Sequence, residues 1–316
     1  IAMRTDHYYS SCGAGKIHYC KWTPEQPPKA VIQLVHGIAE CITRYDRFAN
    51  YLNDLGFVVV GEDHMGHGDS IGEDGIRGYF HGGWFNGVQD TYQLLEDTKK
   101  EYPDLPYVLF GHSMGSFMVR TILAKYPESG ISAAIICGTG WQPTFALPTL
   151  IKVLEAVCKK NGEEIPNQKI HDLVFGGYNK RIPNPRTTKD WLSRDEEIVD
   201  RYVADPSCGF VASCGLMRDM IIGIRYVQTP ANLANMKKYL PVLFIAGDAD
   251  PVGPYGKGVE KAAKAFRKSG MVNVTVRLYP EARHERQRRT GPGNLFPTGR
   301  HHRGRNKFRL RFLPRA

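Results

Sequence analysis

The chain has 316 residues, of which 42% are hydrophobic and 23% are charged, a composition typical of an ordinary globular protein. It contains no run of about 18 apolar residues, and no apolar core follows its first residues, so the sequence predicts neither a transmembrane helix nor a signal peptide. The seven cysteines are odd in number and include no C-x-x-C pattern. This favours reduced thiols and a cytoplasmic location.

The net charge of +10 belongs to one end of the chain. Residues 286–316 hold nine Arg and one Lys and no acidic residue, whereas the remainder has 32 basic and 32 acidic residues. A segment of this kind has no apolar face that could be buried. We therefore expect a disordered tail or the product of a shifted reading frame. The alternative is a genuine tail that binds nucleic acid or anionic lipid. Because its aromatic residues are few, we expect no nucleic-acid partner.

The apolar pattern predicts strands and helices in alternation. We expect buried strands at 17–22, 30–35, 57–60, 107–110, 133–137, 242–246 and 272–279, and helices at 45–55, 87–101, 116–124 and 258–268. Near-continuous apolar strands separated by helices are typical of a parallel sheet covered on both faces. The sequence therefore predicts an α/β fold with a mostly parallel central sheet.

Residues 141–239 interrupt this alternation, because about 100 residues pass without a clear buried strand. We interpret them as a mostly helical insertion over the sheet, which leaves residues 1–140 and 240–285 as the core. Insertions at the carboxyl ends of strands commonly shape functional sites. The alternative is a second helical layer that packs only on itself.

The pentapeptide Gly111-His112-Ser113-Met114-Gly115 lies between a predicted strand and a predicted helix. Gly-x-Ser-x-Gly in this context is the nucleophile elbow of the α/β-hydrolases, in which a strained turn exposes the serine hydroxyl. The two glycines allow the strand and the helix to approach each other closely. Ser113 is therefore the candidate nucleophile.

A serine nucleophile needs a histidine base and a carboxylate that orients the base, and in this fold they follow in the order Ser, acid, His. Asp250 and His284 each follow a predicted strand downstream of Ser113, and they are the candidate acid and base. Asp248 is an alternative acid. His301 and His302 are alternative bases, although no predicted strand precedes them.

The oxyanion formed during acyl transfer needs two backbone N–H donors. One is expected from Met114, which follows the nucleophile at the start of a helix. The other is expected from the loop after an earlier strand, where Ile38 follows His36-Gly37.

The loop from Asp63 to Ser70 contains two Asp and two His, a composition that also occurs in metal sites. Its spacing matches neither H-x-H-x-D-H nor H-E-x-x-H. We interpret it as a structural loop held by side-chain-to-backbone hydrogen bonds. The sequence predicts no metal and no cofactor.

Five motifs in order resemble the lysophospholipase/monoacylglycerol lipase family, the α/β-hydrolase group also labelled serine aminopeptidase S33-like. They are His36-Gly37-Ile38-Ala39-Glu40 with Arg44-Tyr45, Asp63-His64-Met65-Gly66-His67-Gly68-x-Ser70, the pentapeptide at Ser113, Gly247-x-x-Asp250-Pro251-Val252-Gly253 and Tyr279-Pro280-x-x-x-His284-Glu285. The resemblance covers about residues 6–285. It implies a serine hydrolase of monoacylglycerol or lysophospholipid esters that acts through Ser113, Asp250 and His284, and a helical cap that carries the acyl pocket.

The cap segment also suggests which residues bind the acyl chain. Four apolar residues recur at helical spacing, and we expect some of them to face the cleft: Met217, Met220, Ile221 and Ile224. A helix that packs only within the cap is the alternative. The expected partners are a small lipid ester and, transiently, a membrane surface; the sequence does not indicate an oligomeric state.

Two other functions are compatible with the sequence. An S33-like aminopeptidase needs a cap carboxylate to hold the substrate ammonium group, and the candidates are Glu163, Glu164, Glu196 and Glu197. A non-catalytic product with a basic binding tail is the alternative from another class. After Glu285 the chain departs from the family, which continues into an amphipathic helix at this point.

Overall fold

The computed structural model describes residues 3–285. The basic segment 286–316, with the alternative bases His301 and His302, lies outside the described residues. The expectation of a disordered or frame-shifted tail therefore remains a prediction.

One eight-stranded sheet organises the described chain. In space its strands run in the order β1-β2-β4-β3-β5-β6-β7-β8. The first two pairings, β1 with β2 and β2 with β4, are antiparallel, and all other pairings are parallel. The strands are β1 Met3–Tyr9, β2 Lys16–Trp22, β3 Ala30–Val35, β4 Phe57–Glu62, β5 Tyr107–His112, β6 Ala133–Cys137, β7 Val242–Gly247 and β8 Val274–Tyr279.

Helices join the parallel strands and supply the layers on the two faces of the sheet. Short 3-10 turns at Ile42–Tyr45 and Thr144–Ala146 precede two of them. The helices are α1 Asp46–Asp54, α2 Gly83–Glu101, α3 Met114–Lys125, α4 Leu147–Asn161, α5 Gln168–Phe175, α6 Glu196–Ala204, α7 Cys214–Val227, α8 Pro230–Leu233 and α9 Lys257–Lys268.

Successive residues of the central strands point to opposite faces of the sheet and enter different hydrophobic clusters. Ile32 packs with Phe48 and Leu52 of α1, whereas Val31 belongs to a larger cluster that contains residues of α2, α3 and α9. This alternation explains the continuous apolar run of β3, because a strand that is covered on both faces buries every side chain. The predicted mostly parallel sheet with helices on both faces is confirmed.

The sequence analysis did not predict strand β1. Its seven residues, Met3–Tyr9, are mostly exposed, and the strand lies at the edge of the sheet, paired only with β2. An edge strand with polar side chains carries no apolar signal, so its hydrogen-bond partner, rather than hydrophobic burial, defines it.

The segment between β6 and β7 contains α4 to α8 and no named strand. Its two longest helices, α4 and α7, pack against each other, and α7 also packs on α2 and α3. Ile151 of α4 and Met217 of α7 belong to the same hydrophobic cluster as the sheet residue Val31. The segment therefore does not pack only on itself. None of the helices described has the length and apolarity needed to cross a membrane.

Candidate active site

Ser113 lies on the sharp turn between β5 and α3. Its backbone has φ 55° and ψ −121°, a conformation that costs a non-glycine residue about 1–3 kcal/mol. Surrounding contacts hold the turn in place, since Ser113 N–H donates to the carbonyl of Cys137 at 3.0 Å. At this turn Ser113 lines a cavity.

The two glycines of the pentapeptide have a steric role. A Cβ on Gly115 would lie 2.0 Å from the carbonyl oxygen of Val35, and a Cβ on Gly111 would lie 2.4 Å from the carbonyl oxygen of Gly115. Helix α3 therefore approaches β3 and β5 as closely as backbone atoms allow. This places Ser113 directly above the ends of the two strands.

Asp250 and His284 are brought together beneath the same cavity. Asp250 is fully buried, His284 is nearly so, and Nδ1 of His284 lies 2.8 Å from Oδ2 of Asp250. Because an ionised carboxylate only accepts hydrogen bonds, His284 donates from Nδ1. Asp248 is exposed, and its carboxylate accepts instead from the N–H of Glu281. Of the two candidate acids, Asp250 contacts the histidine.

The environment of His284 has opposing effects on its ionisation. Burial lowers the pKa of His284, whereas the charge of Asp250 and the hydrogen bond to it raise the pKa. The carboxylate outweighs burial, so the pKa of His284 lies above its usual value of 6.5.

The candidate oxyanion donors flank Ser113. Ile38 follows β3, Met114 begins α3, and both residues line the cavity together with Ser113 and His284. A Cβ on Gly37 would lie 3.0 Å from Cβ of Ser113, so the loop that bears Ile38 lies against the serine. Within residues 3–285, the N–H groups of Ile38 and Met114 donate to no backbone carbonyl.

The cavity has a volume of about 470 Å³ and is mostly apolar. All four of the expected cap residues line it: Met217, Met220, Ile221 and Ile224. Leu147, Leu150 and Leu154 of α4 line it as well, although the sequence analysis did not single them out. A lining of this kind suits a hydrocarbon chain.

An ion-pair network that the sequence analysis did not predict joins the two loops of the site. Arg44 donates from Nη1 and Nη2 to the carboxylate of Glu285, at 2.9 and 3.0 Å, and from Nη1 to Glu40 at 2.7 Å. Glu40 in turn accepts hydrogen bonds from the N–H of Gly37 and the hydroxyl of Tyr45. The motifs contained these residues, but 241 positions separate Arg44 from Glu285, so no local spacing indicated the pair.

Two aromatic rings pack beside the histidine. The ring centroid of His284 lies 4.6 Å from that of His112 and 5.2 Å from that of Trp191. The backbone N–H of His284 donates to the carbonyl of Trp191. Nε2 of His112 lies 3.2 Å from the carbonyl oxygen of His284. Trp191 belongs to the 141–239 segment, so this segment also helps to orient the histidine.

The loop from Asp63 to Ser70 packs behind the site. Asp63 accepts hydrogen bonds from the N–H groups of Ile42 and Asp69, and its Oδ2 lies 3.0 Å from Nδ1 of His18. These contacts are of the side-chain-to-backbone kind expected for a structural loop. The candidate metal-binding atoms of His18, Asp63 and Asp69 lie within 4.8 Å of one another.

Three buried histidines support the turn after β3. His36 donates from Nδ1 to the carbonyl of Gly37 and accepts from the N–H of His64 at Nε2. Burial lowers the pKa of His36, and it lowers the pKa of His67 to about 3. Both side chains are therefore neutral hydrogen-bonding groups at pH 7, which suits a structural role.

Comparison with known proteins places the chain in a family. The model of the serine aminopeptidase S33 family matches residues 26–288. The chain belongs to this family of α/β-hydrolases. The predicted family and the predicted fold class are both confirmed.

Several relatives are named as lipases or esterases. The chain is 29% identical to a monoacylglycerol lipase of Mycolicibacterium smegmatis, over 90% of this chain and 91% of that protein. It is 30% identical to a human monoglyceride lipase, over 84% of this chain and 83% of that protein. A thermostable carboxyl esterase from Bacillus coagulans, solved in complex with glycerol, superposes with a TM-score of 0.83 at 30% identity, covering 91% of this chain and 93% of that one. These names agree with the carboxylic ester hydrolase that the sequence predicts.

The ion-pair network leads to a prediction about stability. Arg44→Met leaves Glu40 and Glu285 buried without their cation, and breaking a buried pair in this way costs about 3–5 kcal/mol. Arg44→Lys should lose less, because it keeps the charge but not the two-pronged geometry. Urea denaturation of the folded proteins measures both effects.

The matched control is Arg201→Met. Arg201 pairs with Glu197 on the surface, where the two side chains are 76% and 58% exposed. Exposed pairs of this kind contribute about 0.5 kcal/mol or less. Equal losses in Arg44→Met and Arg201→Met would contradict a structural role for the buried network.

Proposed function

We propose that this protein is a serine esterase that hydrolyses monoacylglycerols or lysophospholipids through Ser113, His284 and Asp250. The observation that carries the proposal is the buried hydrogen bond between His284 and Asp250 under a largely apolar cavity that Ser113 also lines. A serine hydroxyl is a weak nucleophile until a base oriented in this way accepts its proton.

In the proposed reaction, Ser113 Oγ attacks the ester carbonyl while Nε2 of His284 takes the hydroxyl proton. Asp250 holds the Nδ1–H tautomer and stabilises the imidazolium that forms. The N–H groups of Ile38 and Met114 bind the oxyanion, aided by the positive end of the α3 dipole. His284 then gives its proton to the leaving alcohol, and water activated by His284 releases the fatty acid. No step requires a cofactor or metal.

We propose that residues 141–239 form the cap of a core made of residues 1–140 and 240–285, and that the cap binds the acyl chain. Its apolar side chains from α4 and α7 line the cavity above Ser113. Two apolar side chains of the same segment are largely exposed, Phe145 at 88% and Leu173 at 75%, and Leu173 also lines the cavity. Such a rim favours transient contact with a lipid surface that presents the substrate.

The aminopeptidase alternative has less support. None of its four candidate ammonium-binding carboxylates lines the cavity, and Glu163 is engaged by Arg218 and Tyr79. The carboxylates that do line the cavity, Glu40 and Glu285, are paired with Arg44. A substrate ammonium group would therefore compete with a buried guanidinium. The alternative of a non-catalytic product rests on residues 286–316, outside the described residues.

The assignment of the triad predicts distinct effects of three substitutions on probe labelling and on kcat. Ser113→Ala should lose labelling by a fluorophosphonate probe. Asp250→Asn should lower kcat by about 10⁴, as in the serine proteases, because the imidazole loses the acceptor that fixes its tautomer. Asp248→Asn is the matched control and should change kcat less than about three-fold, since Asp248 is exposed and points elsewhere. Persistent labelling of folded Ser113→Ala, or a reversal of the two Asp effects, would refute the assignment.

The raised pKa of His284 predicts a pH profile. His284 acts as a base only when neutral, so kcat/KM should rise with pH and reach half its plateau above pH 6.5. In Asp250→Asn the charge that raises the pKa is absent while burial remains, so the midpoint of the residual activity should move to lower pH. An unchanged or higher midpoint in Asp250→Asn would contradict this account.

The substrate class can be tested with p-nitrophenyl esters of two to sixteen carbons beside an aminoacyl p-nitroanilide. We expect kcat/KM to increase from the shortest to the medium chains and the anilide to be a poor substrate. Ile221→Trp, which fills the cavity, should reduce hydrolysis of long chains about ten-fold more than that of the two-carbon ester. Val153→Trp, at a half-exposed position of α4 that does not line the cavity, is the control. A preference for the anilide would favour the peptidase.

A further inference from the structure

Two cysteines meet where the loop after β3 contacts the connection between α6 and α7. The sulfur atoms of Cys41 and Cys208 and a carboxylate oxygen of Asp205 all lie within 4.8 Å of one another. The two cysteines are 4% and 8% exposed. Neither lines the cavity, and the proposed reaction uses neither of them.

The backbone already holds these two segments together. The carbonyl of Ala39 accepts hydrogen bonds from the N–H of Gly209 and from the hydroxyl of Tyr202, each at 2.9 Å. Ala39, two positions before Cys41, and Gly209, next to Cys208, are thus hydrogen-bonded across the junction. For a disulfide to form, the two sulfur atoms must approach from within 4.8 Å to a bonding distance of about 2.05 Å.

The two thiols differ in their electrostatic environment. The neighbouring thiol of Cys208 lowers the pKa of Cys41, whose sulfur atom also lies 3.4 Å from the hydroxyl of Thr43. That same interaction and burial raise the pKa of Cys208, while the charge of Arg44 acts in the opposite direction. A thiol with a lowered pKa beside one that stays protonated is the usual arrangement of an attacking and a resolving cysteine.

A second close pair provides an internal comparison. Cys158 of α4 and Cys214 of α7 have their sulfur atoms 3.0 Å apart. Burial raises the pKa of Cys158 to about 12. Since the thiolate is the reactive form, Cys158 is not expected to act as an attacking thiol, although its sulfur atom lies close to that of Cys214.

We propose that Cys41 and Cys208 form a reversible disulfide on exposure to a peroxide, tying the loop that bears Ile38 to the α6–α7 connection. The Cys41 thiolate attacks hydrogen peroxide, giving a sulfenic acid and, after proton transfer, one water. The Cys208 sulfur then attacks the sulfenic sulfur, the S–S bond forms and a second water leaves. Two thiols lose two electrons and two protons, and one peroxide becomes two waters. A small dithiol reverses the step.

A metal ion is the other possible occupant of two thiols and a carboxylate. The guanidinium of Arg44 acts electrostatically on Cys208, and a nearby fixed cation opposes the binding of a second cation while it favours a thiolate. Asp205 also accepts a hydrogen bond from the N–H of Ser207 at 2.8 Å, which holds its carboxylate in a turn. The arrangement therefore favours the disulfide.

The cross-link has a consequence that rests on the proposed function. Substrate enters a cavity formed between the sheet and residues 141–239, so a bond across their junction restricts opening. We expect the oxidised protein to hydrolyse a sixteen-carbon ester at least about five-fold more slowly than the reduced protein, with the two-carbon ester changed less than about two-fold. Dithiothreitol should restore the original rate.

The test uses the purified full-length chain and begins with a readout that does not depend on activity. The protein is treated with hydrogen peroxide, the remaining thiols are alkylated, and the peptides are mapped by mass spectrometry. We expect one cross-linked peptide pair that contains Cys41 and Cys208, lighter by two hydrogen atoms and lost after dithiothreitol. Cys208→Ser should yield Cys41 sulfenic acid, trapped by dimedone, whereas Cys158→Ser should form the Cys41–Cys208 bond as the wild type does.

Three outcomes would overturn the proposal. They are a Cys158–Cys214 bond in place of the expected one, equal alkylation of Cys41 with and without peroxide, and protection of both thiols by added Zn²⁺ with no disulfide after peroxide. Because the peptide map of the wild type decides the first two, a variant that fails to fold does not affect the result. A Cys41–Cys208 bond without any esterase activity would refute the proposed function and leave the thiol chemistry intact.

Discussion

The buried guanidinium of Arg44 holds together the two halves of the site. It lies between carboxylates from opposite ends of the described chain, Glu40 after β3 and Glu285 next to His284. Without Arg44, both loops would bury a carboxylate that has lost its guanidinium partner, which is strongly unfavourable in a protein interior. With the arginine in place, the loop of the candidate oxyanion donor and the loop of the candidate base are fixed with respect to each other. The geometry at Ser113 therefore depends on an ion-pair network whose carboxylates also line the cavity.

The parts of the fold that could be predicted from the sequence are those with a short-range physical signal. The buried parallel strands are continuous apolar runs, and the elbow at Ser113 needs glycine on both sides because backbone atoms occupy the space of a Cβ. Asp250 and His284 follow such strands, so the ends of the strands indicated them before their contact was known. Local chemistry of this kind requires no knowledge of which strands are neighbours.

Other features depend on contacts between distant residues and carry no local signal. Strand β1 is mostly exposed and is defined by pairing with β2, so its sequence lacks an apolar pattern. Arg44 and Glu285 meet because the segments that contain them follow β3 and β8, and the carboxyl ends of these parallel strands lie on the same side of the sheet. The ring of Trp191 reaches His284 from the segment between β6 and β7. Neither contact follows from spacing along the chain, because the folded arrangement of the elements creates both.

Helix α7 contributes to two surfaces at once. Met217 and Ile224 line the cavity, yet they belong to the same hydrophobic cluster as Val88 of α2 and Ile122 of α3. A substitution that enlarges the cavity there also removes packing from the interior, at about 2–5 kcal/mol for a large aliphatic side chain replaced by Ala. For the proposed esterase, changes in chain-length preference and changes in stability are therefore linked on this helix. If the cavity binds an acyl chain as proposed, new specificity should arise more readily on α5, where Leu173 lines the cavity but is mostly exposed, than on α7.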